Sequence, residues 1–150
     1  MRWLTINHGS EVLRELLRIL VRNLGILEKS DASCCGVTIS QCHALVEIGR
    51  SQKISLIELA DLLGLDKSTM SRTISNLVDA DLVAREIDPE NRRYISLQLT
   101  EKGIEVFKNI EESMNDYYSS IFSSIPDNKR EQVLESLQIL VQSVKDKKSC

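Results

Sequence analysis

Residues 55–79 hold two short apolar-striped segments joined through a glycine, and this limits the fold more than any other feature of the chain. Ser55 followed three residues later by Glu58 is a capping-box pattern that opens a helix. Its apolar face is Leu56, Leu59, Ala60 and Leu63. Gly64 can end that helix in a left-handed conformation. Asp66 then caps a second helix with Met70, Ile74, Leu77 and Val78 turned inward. Two short helices around a tight turn containing glycine form a helix-turn-helix. After Asp81 the pattern changes to two β-prone runs, Leu82 to Ile87 and Arg92 to Leu97, around Asp88-Pro89-Glu90-Asn91. Proline at the second turn position presets its φ, and Asp and Asn suit the turn ends. A helix-turn-helix followed at once by a hairpin is a winged helix.

The flanks read as long helices. Over residues 9–29, Val12, Leu13, Leu16, Leu17, Leu20 and Leu24 recur at helical spacing. A break is expected at residues 30–36. Thr38 with Gln41 is a further capping box, opening a helix to about Arg50 whose apolar face is Cys42, Leu45, Val46 and Gly49. Thr100 caps a long helix to about Ser123, with Ile104, Phe107, Ile110, Met114, Tyr118 and Ile121 inward. Pro126 and Asp127 open the last helix, striped by Val133, Leu134, Leu137, Leu140, Val141 and Val144. The expected fold is mainly α with a small β-hairpin wing, a single unit over 1–150. Residues 36–99 form the winged helix-turn-helix, and 1–30 and 100–150 form dimerisation helices. These flanks carry more apolar surface than a winged helix needs, and such surplus marks a subunit interface. A two-fold homodimer sets two equivalent helices about one DNA turn apart, ~34 Å, facing a pseudo-palindromic site.

Composition excludes several alternatives. At 150 residues the chain can bury a core without disulfide staples. Six glycines, two prolines and 42% hydrophobic residues argue against disorder. No apolar run approaches the roughly 18 residues that span a bilayer, and the apolar stretch at Met1–His8 is too short for a signal peptide. A cytoplasmic protein with no membrane partner is expected. There is no nucleophile motif with a Ser/His/Asp set, no phosphate-cradling glycine loop and no paired histidine ligands, which counts against an enzyme. Nineteen basic residues against 22 acidic ones leave a net charge of −3, and a basic surface is the usual footprint of a nucleic-acid binder.

The second helix of the pair answers that objection. Its outer side carries Lys67, Ser68, Thr69, Ser71, Arg72, Ser75 and Asn76, with no carboxylate anywhere from Lys67 through Asn76. Short hydroxyls reach phosphates, and Arg and Asn pair bidentately with guanine and adenine. An ordinary solvated helix face more often carries Glu and Lys. Arg92 and Arg93 follow the hairpin turn, placed to reach the minor groove or its phosphates. From Asp66 to Arg93 there are five basic and six acidic residues, so positive charge is not abundant but placed. Weak non-specific binding and dependence on a few arginines follow.

The stretch Leu59-Ala60-Asp61-Leu62-Leu63-Gly64-Leu65-Asp66-Lys67-Ser68-Thr69-Met70-Ser71-Arg72 resembles the helix-turn-helix of the MarR (multiple antibiotic resistance regulator) family. Asp88-Pro89-Glu90-Asn91-Arg92-Arg93, followed by Leu99-Thr100-Glu101-Lys102-Gly103, resembles that family's wing and the start of its next helix. The resemblance implies a homodimeric winged-helix transcriptional regulator, usually a repressor, released from double-stranded operator DNA by a small-molecule inducer or by thiol chemistry. The family's wing often reads Asp-x-Arg-Asp-x-Arg. Here Glu90 replaces the first Arg and Asn91 the second Asp, while Arg93 matches the final Arg and takes its role by resemblance. The reading from a different class is a winged-helix protein-interaction module without DNA binding.

Cys34, Cys35 and Cys42 fall within nine positions, and Cys150 is the last residue. The Thr38 cap would put Cys34 and Cys35 just ahead of a helix N-terminus, which stabilises thiolates. Three such thiols suit a thiophilic metal or metalloid ion, or zinc with His43 as fourth ligand. They equally suit a disulfide switch. Against this, Cys42 shares an apolar face with Leu45 and Val46 and reads as a small core residue, His43 as a solvated one, and no Cys-x-x-Cys spacing occurs. No cofactor is otherwise implied.

Overall fold

A computed structural model describes the backbone of residues 9–35 and 38–147, and the side chains of residues 9–24 and 38–147. Helix α1 spans Gly9–Cys35, α2 Ile39–Ser51, α3 Leu56–Leu63, α4 Lys67–Asp79, α5 Glu101–Ser124 and α6 Arg130–Lys147. Three short strands accompany them: β1 Ile54–Ser55, β2 Val83–Ile87 and β3 Ile95–Leu99. The chain divides into two compact units, Met1–Glu111 and Glu112–Cys150.

The core of the first unit is built by the helical periodicities. Leu45 and Ile48 of α2, Leu59 of α3, Met70, Ile74 and Leu77 of α4 and Leu97 of β3 have essentially no exposed surface. Burial of this kind contributes about 1.5–3 kcal/mol per large apolar side chain. Thr73, in the middle of the α4 core face, is also buried; its hydroxyl donates back to the Thr69 carbonyl at 3.0 Å and so goes in satisfied. On α2 the buried line is Ala44, Leu45 and Ile48, with Cys42, Val46 and Gly49 only half-buried. The packed face is therefore turned slightly from the expected one. Gly49 admits the Phe107 ring of α5, which a Cβ would meet at 2.6 Å.

The sheet is antiparallel in the order β1-β3-β2, with Val83 opposite Leu99, Arg85 opposite Leu97 and Ile54 opposite Leu97. Strand β1 is not expected from the sequence, because two residues are too few to show alternation. The second hairpin strand begins at Ile95 rather than Arg92, since residues 88–94 are consumed by a longer loop. Helix α1 continues through the break expected at residues 30–36 as far as Cys35; no Gly or Pro interrupts residues 26–35.

The caps follow the sequence in part. Thr38 and Gln41 form the full reciprocal box. Ser55 accepts from the Glu58 N–H at 3.0 Å, but the return bond from Glu58 is absent, because Ser55 is already a strand residue paired with Ser96. Gly64 is left-handed (φ 66°), as the turn requires. The last helix is preceded by a 3₁₀ turn over Asp127–Lys129. In that second unit Arg130 closes the α5 C-terminus: its guanidinium donates to the carbonyls of Phe122, Ser123 and Ile125, pairs with Asp127 at 2.7 Å and lies over the Phe122 ring.

Candidate nucleic-acid interface

Helix α4 is held by its inner face and presents its outer one. With Met70, Thr73, Ile74 and Leu77 buried, the 3.6-residue period leaves Lys67, Ser68, Ser71, Arg72 and Asn76 exposed and Thr69 and Ser75 half-buried. All seven residues proposed from the sequence thus lie on α4. Thr69 and Ser75 sit at the margin between the two faces, within reach of groups that approach the helix closely.

The N-terminus of α4 is less tightly closed than expected. Asp66 stands at the N-cap with extended backbone (φ −72°, ψ 158°), yet its side chain makes no well-formed cap hydrogen bond. Its carboxyl still interacts with the Thr69 hydroxyl, and to a smaller degree with the Thr69 amide and Arg72, which holds it below the ordinary carboxylate range. The C-terminus is closed by a different device. Asp81 adopts φ 62°, the Asp81 N–H donates to Val78 O at 3.0 Å and the Leu82 N–H to Leu77 O at 2.9 Å. This is a Schellman-type stop with aspartate where glycine is most common.

The wing loop is organised by its two short polar side chains. Asp88 Oδ1 accepts from the Glu90 N–H at 2.9 Å, and Asn91 Oδ1 accepts from the Arg93 N–H at 3.2 Å. Backbone bonds Asp88 N–H to Tyr94 O (3.0 Å) and Tyr94 N–H to Asn91 O (2.9 Å) close the loop. Asn91, which replaces an acid in the resembled pattern, is thus used to shape the tip. Arg92 and Arg93 lie on this loop and are exposed. The ion pairs among the described residues are Arg18–Glu15, Arg50–Glu47, Arg50–Glu111 and Arg130–Asp127. None engages Arg72, Arg92 or Arg93; Arg72 has only the minor longer-range attraction to Asp66.

This combination of helix-turn-helix, acid-free outer helix face and arginine-tipped wing can be set against known proteins. The sequence pattern of the MarR family matches residues 37–95. Those residues form a MarR-type domain. Members of that family are transcriptional regulators and not enzymes. Among related MarR-type structures, a MarR transcriptional regulator from Methanosarcina mazei Go1 shares 28% identity, with a TM-score of 0.78 over 91% of this chain and 98% of that one. The HTH-type transcriptional regulator BilQ of Clostridium symbiosum is 23% identical over 75% of this chain and 78% of its own length. FabT of Streptococcus pneumoniae, solved in complex with DNA, has the same fold, with a TM-score of 0.81 at 17% identity over 92% of this chain and 99% of that one.

The MarR match does not reach the first two cysteines. Cys34 and Cys35 end α1 in the described backbone, but their side chains lie outside the described residues. The break expected there is replaced by the last turn of α1, still ahead of the Thr38 cap of α2 in sequence. Cys42 is half-buried in the first turn of α2, and His43 is exposed on the other side of that helix. Among the described residues no group of three His, Cys, Asp or Glu side chains is arranged to hold a metal ion, and no helix is long and apolar enough to cross a membrane.

Proposed function

We propose that this MarR regulator binds double-stranded DNA as a homodimer, with α4 in the major groove and the wing loop along the backbone or minor groove. Ser68, Thr69, Ser71, Ser75 and Asn76 supply hydroxyl and amide contacts, Arg72 reads a base edge, Lys67 neutralises a phosphate, and Arg92 and Arg93 anchor the wing. The observation that carries this reading is an exposed α4 face without a carboxylate from Lys67 through Asn76, together with three arginines that form no ion pair among the described residues. The FabT complex with DNA shows that the same fold serves that purpose in another protein. Dimer formation is supported separately by the exposed apolar stripes of α1 and of α6.

The finer reading is a repressor released by an inducer. An open cavity of about 300 Å³ between α2, β3 and α5 supports a small organic inducer; it is lined by Ile48, Leu99, Ile104 and Phe107, with Gln98 and Lys108 as polar groups. Thiol or metalloid chemistry at Cys34, Cys35 and Cys42 is the other trigger, supported by their closeness in sequence.

A salt titration on duplex DNA tests the central claim. Affinity should fall steeply with salt, Arg72→Ala should cost about 1–3 kcal/mol on a preferred site, and Arg92→Ala should lower the salt slope by about one. If Arg72→Ala leaves binding to every duplex unchanged, α4 does not read DNA as described. A protein that binds no duplex at any salt would instead be an interaction module.

A further inference from the structure

The turn that follows the recognition helix does not end in solvent; its carbonyls meet the start of another helix. Ala80 O accepts from Lys102 Nζ at 3.3 Å, Asp81 O from the Thr100 hydroxyl at 2.6 Å, and Leu82 O from the Thr100 N–H at 3.1 Å. The same Thr100 oxygen accepts the Gly103 N–H at 3.0 Å. One hydroxyl therefore caps the N-terminus of α5 and helps close the C-terminal corner of α4. Gly103 is buried, and a Cβ there would collide with the Leu82 carbonyl oxygen. The carbonyls of three consecutive residues after α4 are thus all taken by Thr100 and Lys102, the Leu82 bond continuing the β2–β3 pairing.

We propose that Thr100, Lys102 and Gly103 are positioning residues for DNA reading: they clamp α4 to α5 so that the two helices tilt as one body. This rests on the DNA-reading role of α4 proposed above. The opposite end of α4 has no such tie, since Asp66 makes no side-chain cap bond. Besides the inner face that packs it into the core, the helix thus has a polar tie at the corner and none at its start. Lys102 is exposed and its bond to Ala80 O covers no apolar surface, so the contact adds little to stability. What it removes is a rotation. In a two-fold dimer that rotation would change the spacing and phase of the two reading helices, and each inserted base pair turns one half-site against the other by ~34°. The clamp makes the protein intolerant of such insertions. It also gives any displacement of the first turn of α5 a direct path to the reading helix.

The test uses a duplex selected by the wild-type full-length protein from a random-sequence pool, the same duplex with one base pair added or removed between half-sites, and a single half-site. Lys102→Met keeps the stem and removes the donor; Thr100→Val removes both hydroxyl functions and Thr100→Ser keeps them. Lys102→Met and Thr100→Val should lower the penalty for the inserted base pair about tenfold, or ~1.4 kcal/mol. Single half-site affinity should stay unchanged, and Thr100→Ser should behave as wild type. A folded Lys102→Met protein that keeps the wild-type spacing penalty overturns the clamp, and it decides the matter if Thr100→Val does not fold. If the wild type selects no duplex, the DNA reading has failed by itself and amide exchange judges the clamp. One shared opening rate for the Leu82 and Ile104 amides in wild type, splitting in Lys102→Met, supports it. Separate rates in wild type overturn it.

Discussion

The helices α4 and α6 are both amphipathic by sequence, yet one hides its stripe and the other does not. In α4, Met70, Ile74 and Leu77 are at most 1% exposed. In α6, Leu137 is 43% exposed, Leu134 48% and Val144 54%, and no residue of the helix is buried. Helix α1 behaves like α6, with Leu16 at 49% and Val21 at 67%. The same periodicity thus describes a finished core in one place and an unfinished surface in another. An amphipathic pattern states that a face must be covered; it does not state whether the covering atoms come from the same chain.

The finished side of this comparison is broken most severely where no side chain can yield. Gly103→Ala sets a Cβ against the Leu82 carbonyl oxygen, which is backbone and cannot rotate away. A loss of about 3 kcal/mol or more is expected from such overpacking, read as a lower urea midpoint. Leu77→Ala should cost about 2–5 kcal/mol by leaving a cavity under α4. A loss below 1 kcal/mol for both would mean that the winged-helix core is looser than its burial implies.

The unfinished side is sharpened by changing charge without touching the core. Leu137→Glu with Val144→Glu should leave the unfolding midpoint of the winged-helix part nearly unchanged while weakening self-association. Two apolar side chains that each contribute about 1.5–3 kcal/mol on burial should together shift the dimer dissociation constant by a hundredfold or more. Sedimentation equilibrium reads this directly. A wild-type protein that sediments as a monomer would show that a different partner covers α6.

The two α-turn corners offer a finer contrast. Gly64 and Asp81 both end a helix in the left-handed region, at φ 66° and 62°, but only one of them lacks a Cβ. Asp81→Gly should raise stability by up to about 1 kcal/mol, the left-handed cost that an L-residue carries there, less the extra chain entropy of glycine. Thermal unfolding measures it, and a clear loss would mean that the Asp81 side chain is itself used.

What the sequence disclosed follows the same division. Thr38 with Gln41, Gly64 and the inward set on α4 were legible because each is a local rule acting within four residues. The wing's second strand was misplaced by three residues, since Asp88 and Asn91 each take a backbone N–H of their own loop and lengthen it. Strand β1 and the carbonyls held by Thr100 and Lys102 were invisible because their partners lie about 20 to 40 residues away. On the candidate interface, the exposed face of α4 was legible from periodicity alone. That Arg72, Arg92 and Arg93 form no ion pair among the described residues was not, because pairing depends on distance in space. The break expected at residues 30–36 does not occur, because Ser30-Asp31-Ala32-Ser33 reads as a turn by composition yet is helical in place.

The smallest effect concerns the N-terminal end of α4. The folded-state carboxyl of Asp66 is held below its ordinary value, first by the Thr69 hydroxyl and with a minor share from Arg72. A carboxylate depressed in the folded state adds stability above the unfolded pKa, about 3.9. That increment declines as pH drops below this value and is gone once pH has fallen through the lower folded one. Asp66→Asn should therefore unfold at slightly lower urea than wild type at pH 7, and the two midpoints should converge as pH falls through the lowered folded-state value. Thr69→Val should bring the Asp66 carboxyl, followed by NMR, back toward its ordinary range. If it titrates unchanged in that variant, Thr69 is not what holds it. The Thr69 and Asp66 amides and Arg72 would then share that task, and an arginine occupied in that way is less available for DNA.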